Sequence, residues 1–152
     1  MNDIIKLAYK LKEDLSPFSA IIVVAGSVRR KEKDIKDIDF VCVPEDLDKL
    51  KKFIYDNDSF YVYRDGEKLI SFVTKSCKVD IYFATEDNFG AMLLFLTGSG
   101  GHNIGLRRIA KSMGFKLNQY GLWLDSKCIA SKTEEDIYNA LNREYKAPEL
   151  RK

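Results

Sequence analysis

An aspartate embedded in an otherwise apolar run constrains this chain more than any other feature. Asp80 stands in Val79-Asp80-Ile81-Tyr82-Phe83. Side chains alternate across a strand, so Val79, Ile81 and Phe83 turn to a core while Asp80 shares the other face with Lys78 and Tyr82. A second segment repeats the pattern. Asp37 and Asp39 share one face, and Ile38, Phe40 and Cys42 take the other. If the two strands pair, three carboxylates converge. Left alone they repel one another. Two divalent cations about 3.5–4 Å apart remove that repulsion and make the cluster a phosphoryl-transfer site. An Asp-x-Asp pair by itself describes many solvated strand ends; the third carboxylate and the turn that precedes the pair give it meaning.

That turn follows an apolar run over residues 20–25 and reads Gly26-Ser27-Val28-Arg29-Arg30. A strand that bends through glycine into a helix start leaves backbone N–H groups free, and such a start binds phosphate. Ser27 adds a hydroxyl and Arg30 a bidentate cation. A phosphate grip beside metal-binding carboxylates describes a nucleoside triphosphate site.

At 152 residues the chain can build one domain with a sizeable core or two small lobes. No apolar run is long enough for a transmembrane helix and no signal peptide is visible, so a cytoplasmic protein without a membrane partner is expected. Cys42, Cys77 and Cys128 lie far apart, which argues against zinc and against a disulfide framework. The single histidine, His102, reads as a loop residue at a helix start and cannot anchor a histidine metal site. Net charge is +2, but it is unevenly spread. Residues 1–96 hold 15 Lys+Arg against 17 Asp+Glu; residues 97–152 hold 10 against 6. The basic second part is the candidate for contact with a phosphate backbone.

Periodicity predicts helices over 2–14 and 46–55, strands over 20–25, 37–43, 60–63, 68–73 and 78–83, and a hairpin turn at Asp65-Gly66. Thr85 is expected to cap a helix with Glu86 and Asp87 in its first turn, ending near Gly98. Gly98-Ser99-Gly100-Gly101 reads as a flexible link between lobes. Beyond it a helix over 102–113 stops at Gly114, short strands fill 115–129, and Thr133 caps a last helix with Pro148 just past its end. The expected fold is α+β, a mixed sheet with helices on one face followed by a small α+β lobe.

Gly26-Ser27-x-x-Arg30, Asp37-Ile38-Asp39 and Asp80 together resemble the nucleotidyltransferase superfamily. Thr97-Gly98-Ser99, then His102-Asn103 with Leu106-Arg107-Arg108, then Leu117-Asn118-Gln119-Tyr120-Gly121 narrow the resemblance to the family X, polymerase beta-like, DNA polymerases. The likeness covers most of 20–43 and 78–151. It implies a nucleotidyltransferase palm over 1–97 and a thumb over 98–152. It implies that Asp37, Asp39 and Asp80 bind two Mg2+ ions, with Mn2+ able to substitute, and that Asp80 helps deprotonate a primer 3′-hydroxyl. Gly26, Ser27, Arg30 and the backbone of Lys36 take the triphosphate, and Phe95, Leu96 and Gly98 lie by the nucleotide sugar. Asn103 and Arg107, four apart on one helix face, meet the incoming base and the template. Lys78, Lys111 and Lys116 contact DNA.

The implied activity is template-directed addition of dNTPs to a primer-template or gapped duplex, in short-gap repair, by a monomer. A template-independent nucleotidyltransferase acting on an RNA end, a protein or a small molecule is the alternative, and a DNA-binding module with a dead site is a third reading that the intact carboxylate set opposes. Several positions depart from the family pattern. Lys36 stands where Gly is usual, Phe95-Leu96 where Tyr-Phe is frequent, and Gln119 where Glu is usual. The palm helix begins almost at Met1, so neither a lyase nor a helix-hairpin-helix domain is expected.

Overall fold

In the computed structural model, which describes residues 2–152, the first segment is the amphipathic helix α1 (Asp3–Leu15), whose N-cap Asn2 accepts from the Ile4 N–H. It turns its apolar side, Ala8, Leu11 and Leu15, onto a five-stranded sheet. The strands are β1 (Ser19–Ala25), β2 (Ile38–Pro44), β3 (Tyr61–Asp65), β4 (Leu69–Val73) and β5 (Lys78–Phe83), in the order β1-β2-β5-β4-β3. The pair β2–β5 is parallel and the rest are antiparallel, so the sheet is mixed. Between β1 and β2 lies the short helix α2 (Gly26–Arg29); between β2 and β3 lies α3 (Leu47–Tyr55), capped by Asp46.

The period of two sorts the strands into two faces. Ile38, Phe40, Cys42, Ile70, Phe72, Val79, Ile81 and Phe83 all join α1 and α3 in one core. Burial of that many large apolar side chains, at about 1.5–3 kcal/mol each, is what fixes the register of the sheet. The opposite face is covered only in part. Helix α4 (Phe89–Thr97) lies over β1 and β2, where Met92 and Leu93 pack with Ala25, Val41 and Val43.

Helix α4 also faces the C-terminal lobe, so helices lie on both faces of the sheet rather than one. The lobe contains α5 (Gly100–Ser112), the small sheet β6 (Lys116–Asn118), β7 (Gly121–Leu124), β8 (Lys127–Ala130), and α6 (Glu134–Ala140). Ala91 and Leu94 of α4 join Leu106, Ala110, Leu122, Ile137 and Tyr138 in its core. The free N–H groups of Gly90 and Ala91 donate to the carbonyls of Lys132 and Ser131. Gly90 sits so close to the Thr133 backbone that no Cβ fits there. Among the described residues no helix is long and apolar enough to cross a membrane.

Four local expectations are corrected. Thr85 does not cap α4; it exchanges hydrogen bonds with Asn88 in a turn over 85–88, and the helix starts at Phe89. Gly98-Ser99-Gly100-Gly101 is no loose link. Gly98 (φ 69°) ends α4, the Ser99 hydroxyl accepts from the His102 N–H, and Gly100 and Gly101 are the first turn of α5. Pro148 does not follow α6 directly, because the chain runs through 142–147 before a 3₁₀ turn, Pro148–Leu150. His102 is buried in α5, its Nε2 2.7 Å from the Tyr138 hydroxyl.

Candidate active site

The open part of the second sheet face holds the acidic cluster. Asp39 and Asp80 are direct partners across the parallel pair β2–β5, and Ala25, the last residue of β1, is the partner of Asp39 on the other side. Asp37 lies one residue ahead of β2 and is exposed. It falls outside the strand because β1 has already turned into α2 at that level and offers it no partner.

The turn works as the alternation of β1 requires. Gly26 has φ 60°, and a Cβ there would stand 2.5 Å from Asp39 Oδ2. Only glycine lets the α2 backbone come this close to the carboxylate. The site is short of positive charge. Burial, followed by the nearby Asp80 and Asp37, pushes the Asp39 carboxyl up to about 6, and Lys78 and Arg30 offset this only partly. Asp80 is mostly buried. Its Oδ1 accepts from the Ser71 hydroxyl at 2.5 Å, and Lys78 Nζ lies 3.7 Å from its Oδ2. The Asp80 charge, in turn, raises the Lys78 ammonium.

An all-oxygen donor set of this kind suits a hard divalent cation. Among the described residues no three such side chains are already drawn to metal-ligating distance.

Beside the turn lies a cleft of about 490 Å3 of mixed charge, where Ser27, Arg30, Lys31, Lys33 and Lys152 stand with Glu32, Asp34 and Glu149. Arg30 reaches away from it toward α4: its Nη1 donates to the Thr97 carbonyl at 2.5 Å and its Nε to Glu32 at 3.3 Å. Gly98 lies against the same guanidinium, 3.1 Å from its would-be Cβ. Lys36 is exposed in the loop leading to Asp37. Asn103 Nδ2 donates to the Phe95 carbonyl at 2.7 Å, which ties α5 to the end of α4. Arg107 is exposed one turn further along α5, and both line a narrow groove with Phe95 and Leu106. Phe95 is exposed, whereas Leu96 packs into the cluster over β1 and β2. Lys111 and Lys116 are exposed on α5 and β6. A larger cavity, about 710 Å3, lies between β7, β8 and α6 and is lined by none of the three carboxylates.

One buried group escapes sequence reasoning. Glu134, the first residue of α6, is 3% exposed and receives both nitrogens of Arg29 at 2.8 and 2.6 Å. Arg151, 1% exposed, donates to the same carboxylate at 2.7 Å. Burial alone would raise Glu134, but the two guanidinium groups outweigh it and hold the carboxyl low. Arg29, the neighbour of Arg30, is thereby fixed to the C-terminal lobe. A Glu directly after the cap Thr133 was the only available signal, and it is an ordinary helix start.

A mixed palm-like sheet with in-register aspartates beside a Gly-Ser turn defines a nucleotidyltransferase class of fold, and comparison with known proteins narrows it. A family model described as DNA polymerase beta thumb matches residues 92–152. Repair DNA polymerase X of African swine fever virus (strain Badajoz 1971 Vero-adapted) is 32% identical over 142 residues, which are 86% of this chain and 80% of that protein. DNA polymerase/3'-5' exonuclease PolX of Bacillus subtilis (strain 168) is 30% identical over 124 residues, 78% of this chain but only 22% of that much longer protein. The crystal structure of Leishmania infantum polymerase beta, a ternary P/T complex, has the same fold: TM-score 0.83 at 19% identity, over 99% of this chain and 75% of that one. The chain belongs to the family X DNA polymerases.

Proposed function

We propose that this chain is a template-directed DNA polymerase that adds dNTPs to a primer 3′ end in short-gap repair synthesis. The observation that carries the reading is the pairing of Asp39 with Asp80 across β2–β5, directly beside the Gly26 turn. The names of the viral relatives, repair DNA polymerases, support it.

In this reading residues 1–97 are the palm and 98–152 the thumb. Asp37, Asp39 and Asp80 hold two Mg2+ ions, for which Mn2+ can substitute. Bound there, such a pair neutralises charge on the attacking and the leaving oxygens of an in-line displacement. Asp80 takes the proton of the primer 3′-hydroxyl on Oδ2, the oxygen that Ser71 does not hold. Ser27, Arg30 and the backbone N–H groups of Gly26 and Lys36 receive the triphosphate, which requires Arg30 to exchange the Thr97 carbonyl for a phosphate oxygen. Asn103 likewise exchanges the Phe95 carbonyl for the edge of the incoming base, so both exchanges free carbonyls at one end of α4. Phe95, Leu96 and Gly98 border the sugar, Arg107 meets the template strand, and Lys78, Lys111 and Lys116 meet the DNA backbone. The protein acts as a monomer.

Primer extension on gapped DNA tests the reading, with each dNTP offered singly against each template base. Incorporation that follows Watson–Crick pairing, needs a divalent cation and is lost in Asp80→Asn is expected. Incorporation indifferent to the template base would overturn it.

A further inference from the structure

The register of the palm sheet draws one row of residues across all five strands: Arg64 on β3, Ser71 on β4, Asp80 on β5, Asp39 on β2 and Ala25 on β1. Ser71 therefore stands on the site face. Its strand neighbours Ile70 and Phe72 serve the opposite core. The side chain at 71 is free of the demand that fixes those two, yet it is 2% exposed and polar.

Where this hydroxyl donates sets it apart. Four other serine hydroxyls donate to backbone carbonyls: Ser16 to Lys12, Ser19 (also 3.3 Å from Cys42 Sγ) to Leu15, Ser112 to Ile109 and Ser131 to Asp87. The first three are local satisfactions of a polar group, and the last ties two loops together through a backbone carbonyl. Ser71 instead donates to a carboxylate on a neighbouring strand, Asp80 Oδ1, at 2.5 Å. A hydroxyl on a charged acceptor makes a short, strong hydrogen bond, and a buried one has no water to compete with it.

The consequence is directional. The last torsion of an aspartate is broad and roughly two-fold, so a carboxylate without a partner samples many orientations. With Oδ1 fixed from the β4 side, the plane of the Asp80 carboxylate is set and Oδ2 is the oxygen left on the site side, where Lys78 approaches to 3.7 Å.

We propose that Ser71 is a positioning residue for the polymerase reaction: it holds one oxygen of Asp80 so that the other is aimed at the primer 3′-hydroxyl. The proposal rests on the polymerase reading above. In the step concerned, the 3′-oxygen forms its bond to the α-phosphorus, the bond to the pyrophosphate leaving group breaks, and the hydroxyl proton passes to Asp80 Oδ2. Ser71 takes no part in the bond changes. It sets the angle from which the proton is received, an effect felt in the chemical step and not in nucleotide binding.

An isosteric pair separates the hydroxyl from the shape. Ser71→Thr keeps the donor, and Ser71→Val has the same outline without it. In single-turnover extension S71V should lose about tenfold in the maximal rate, the effect of one charge-assisted hydrogen bond, with dNTP affinity within about twofold of wild type. S71T should stay near the wild-type rate. Thermal melting of both, measured alongside, should be alike. Crystal structures of the two variants supply a readout independent of turnover: the Asp80 carboxylate should keep its plane in S71T and rotate in S71V. If neither branched variant folds, Ser71→Ala replaces S71V, with wild type as its reference. A wild-type rate in S71V, an equal fall in S71T, or a loss confined to dNTP affinity overturns the proposal. Absence of template-directed extension by the wild-type protein would overturn the polymerase reading instead; the Asp80 plane in the crystals would then decide the positioning claim by itself.

Discussion

Asp39 should weaken the metal-free fold it belongs to. Its carboxyl is raised from 3.8 to about 6 by burial and by Asp80 and Asp37. At about 1.4 kcal/mol per pH unit, ionising it in the folded protein at pH 7 costs about 3 kcal/mol relative to the unfolded chain. The folded state holds the proton more tightly than the unfolded state between pH 3.8 and about 6. The contribution of this group to stability therefore improves as pH falls through 6, and is level below 3.8. Asp39→Asn removes the charge and keeps the shape. Urea melts in the presence of a chelator should find D39N more stable than wild type by about 3 kcal/mol at pH 7.5, with the gap narrowing through pH 6 and 5 and closing near pH 4. Saturating Mg2+ should stabilise the wild type more than the variant and shrink the gap at neutral pH. D39N should also fail to extend a primer, so the gain in stability comes with loss of activity. The reasoning is refuted if D39N is equal or weaker at pH 7.5, or if the gap widens on acidification.

Arg30→Ala should weaken dNTP use by about 1.5–3 kcal/mol, seen in triphosphate affinity or rate; a fall in DNA affinity instead would remove Arg30 from the phosphate grip. Glu134→Ala leaves the buried Arg151 and the partly buried Arg29 without their shared carboxylate. It should cost about 3–5 kcal/mol in urea melts, and a loss under 1 kcal/mol would mean the cluster relaxes to solvent. Each of Lys111→Ala and Lys116→Ala should reduce the slope of log DNA affinity against log salt by about 0.9. Lys51→Ala should not, because Lys51 pairs with Asp65 at 2.6 Å on the α3 side of the sheet, away from the carboxylates; an equal change in slope there would relocate the DNA path.

Alternation about Asp39 and Asp80 was enough to put these two carboxylates on one face, since the apolar residues beside them leave the chain no other register, whereas Asp37 lies one residue ahead of the strand. It could not say that β2 and β5 are neighbours. That adjacency depends on a parallel crossover with α3, β3 and β4 between the two strands. Ser71 carried no signal for the same reason, because its partner is chosen by the pairing of β4 with β5. The His102–Tyr138 and Arg29–Glu134 contacts join residues 36 and 105 apart, beyond any local periodicity. His102 in particular, one ring in a polar helix start, reads as exposed until α6 is laid against it. The run Phe89-Gly-Ala-Met-Leu-Leu-Phe-Leu-Thr97 did hold information that alternation rules overlook. A helix apolar nearly all round is one packed on two sides, here by both clusters, with Phe95 left exposed.

That last helix bears on how the molecule comes apart. Since Met92 and Leu93 belong to one cluster and Ala91 and Leu94 to the other, neither lobe can detach without wetting one side of this helix. Amide exchange along α4 should then be as slow as exchange anywhere in the chain, and its protection should vanish only with the whole fold, in a single melting transition and not two. Rotation of one lobe against the other has to be a small slide over this buried helix. With Gly90 seated on the Thr133 backbone, an added methyl group at position 90 would be felt on both sides of it at once.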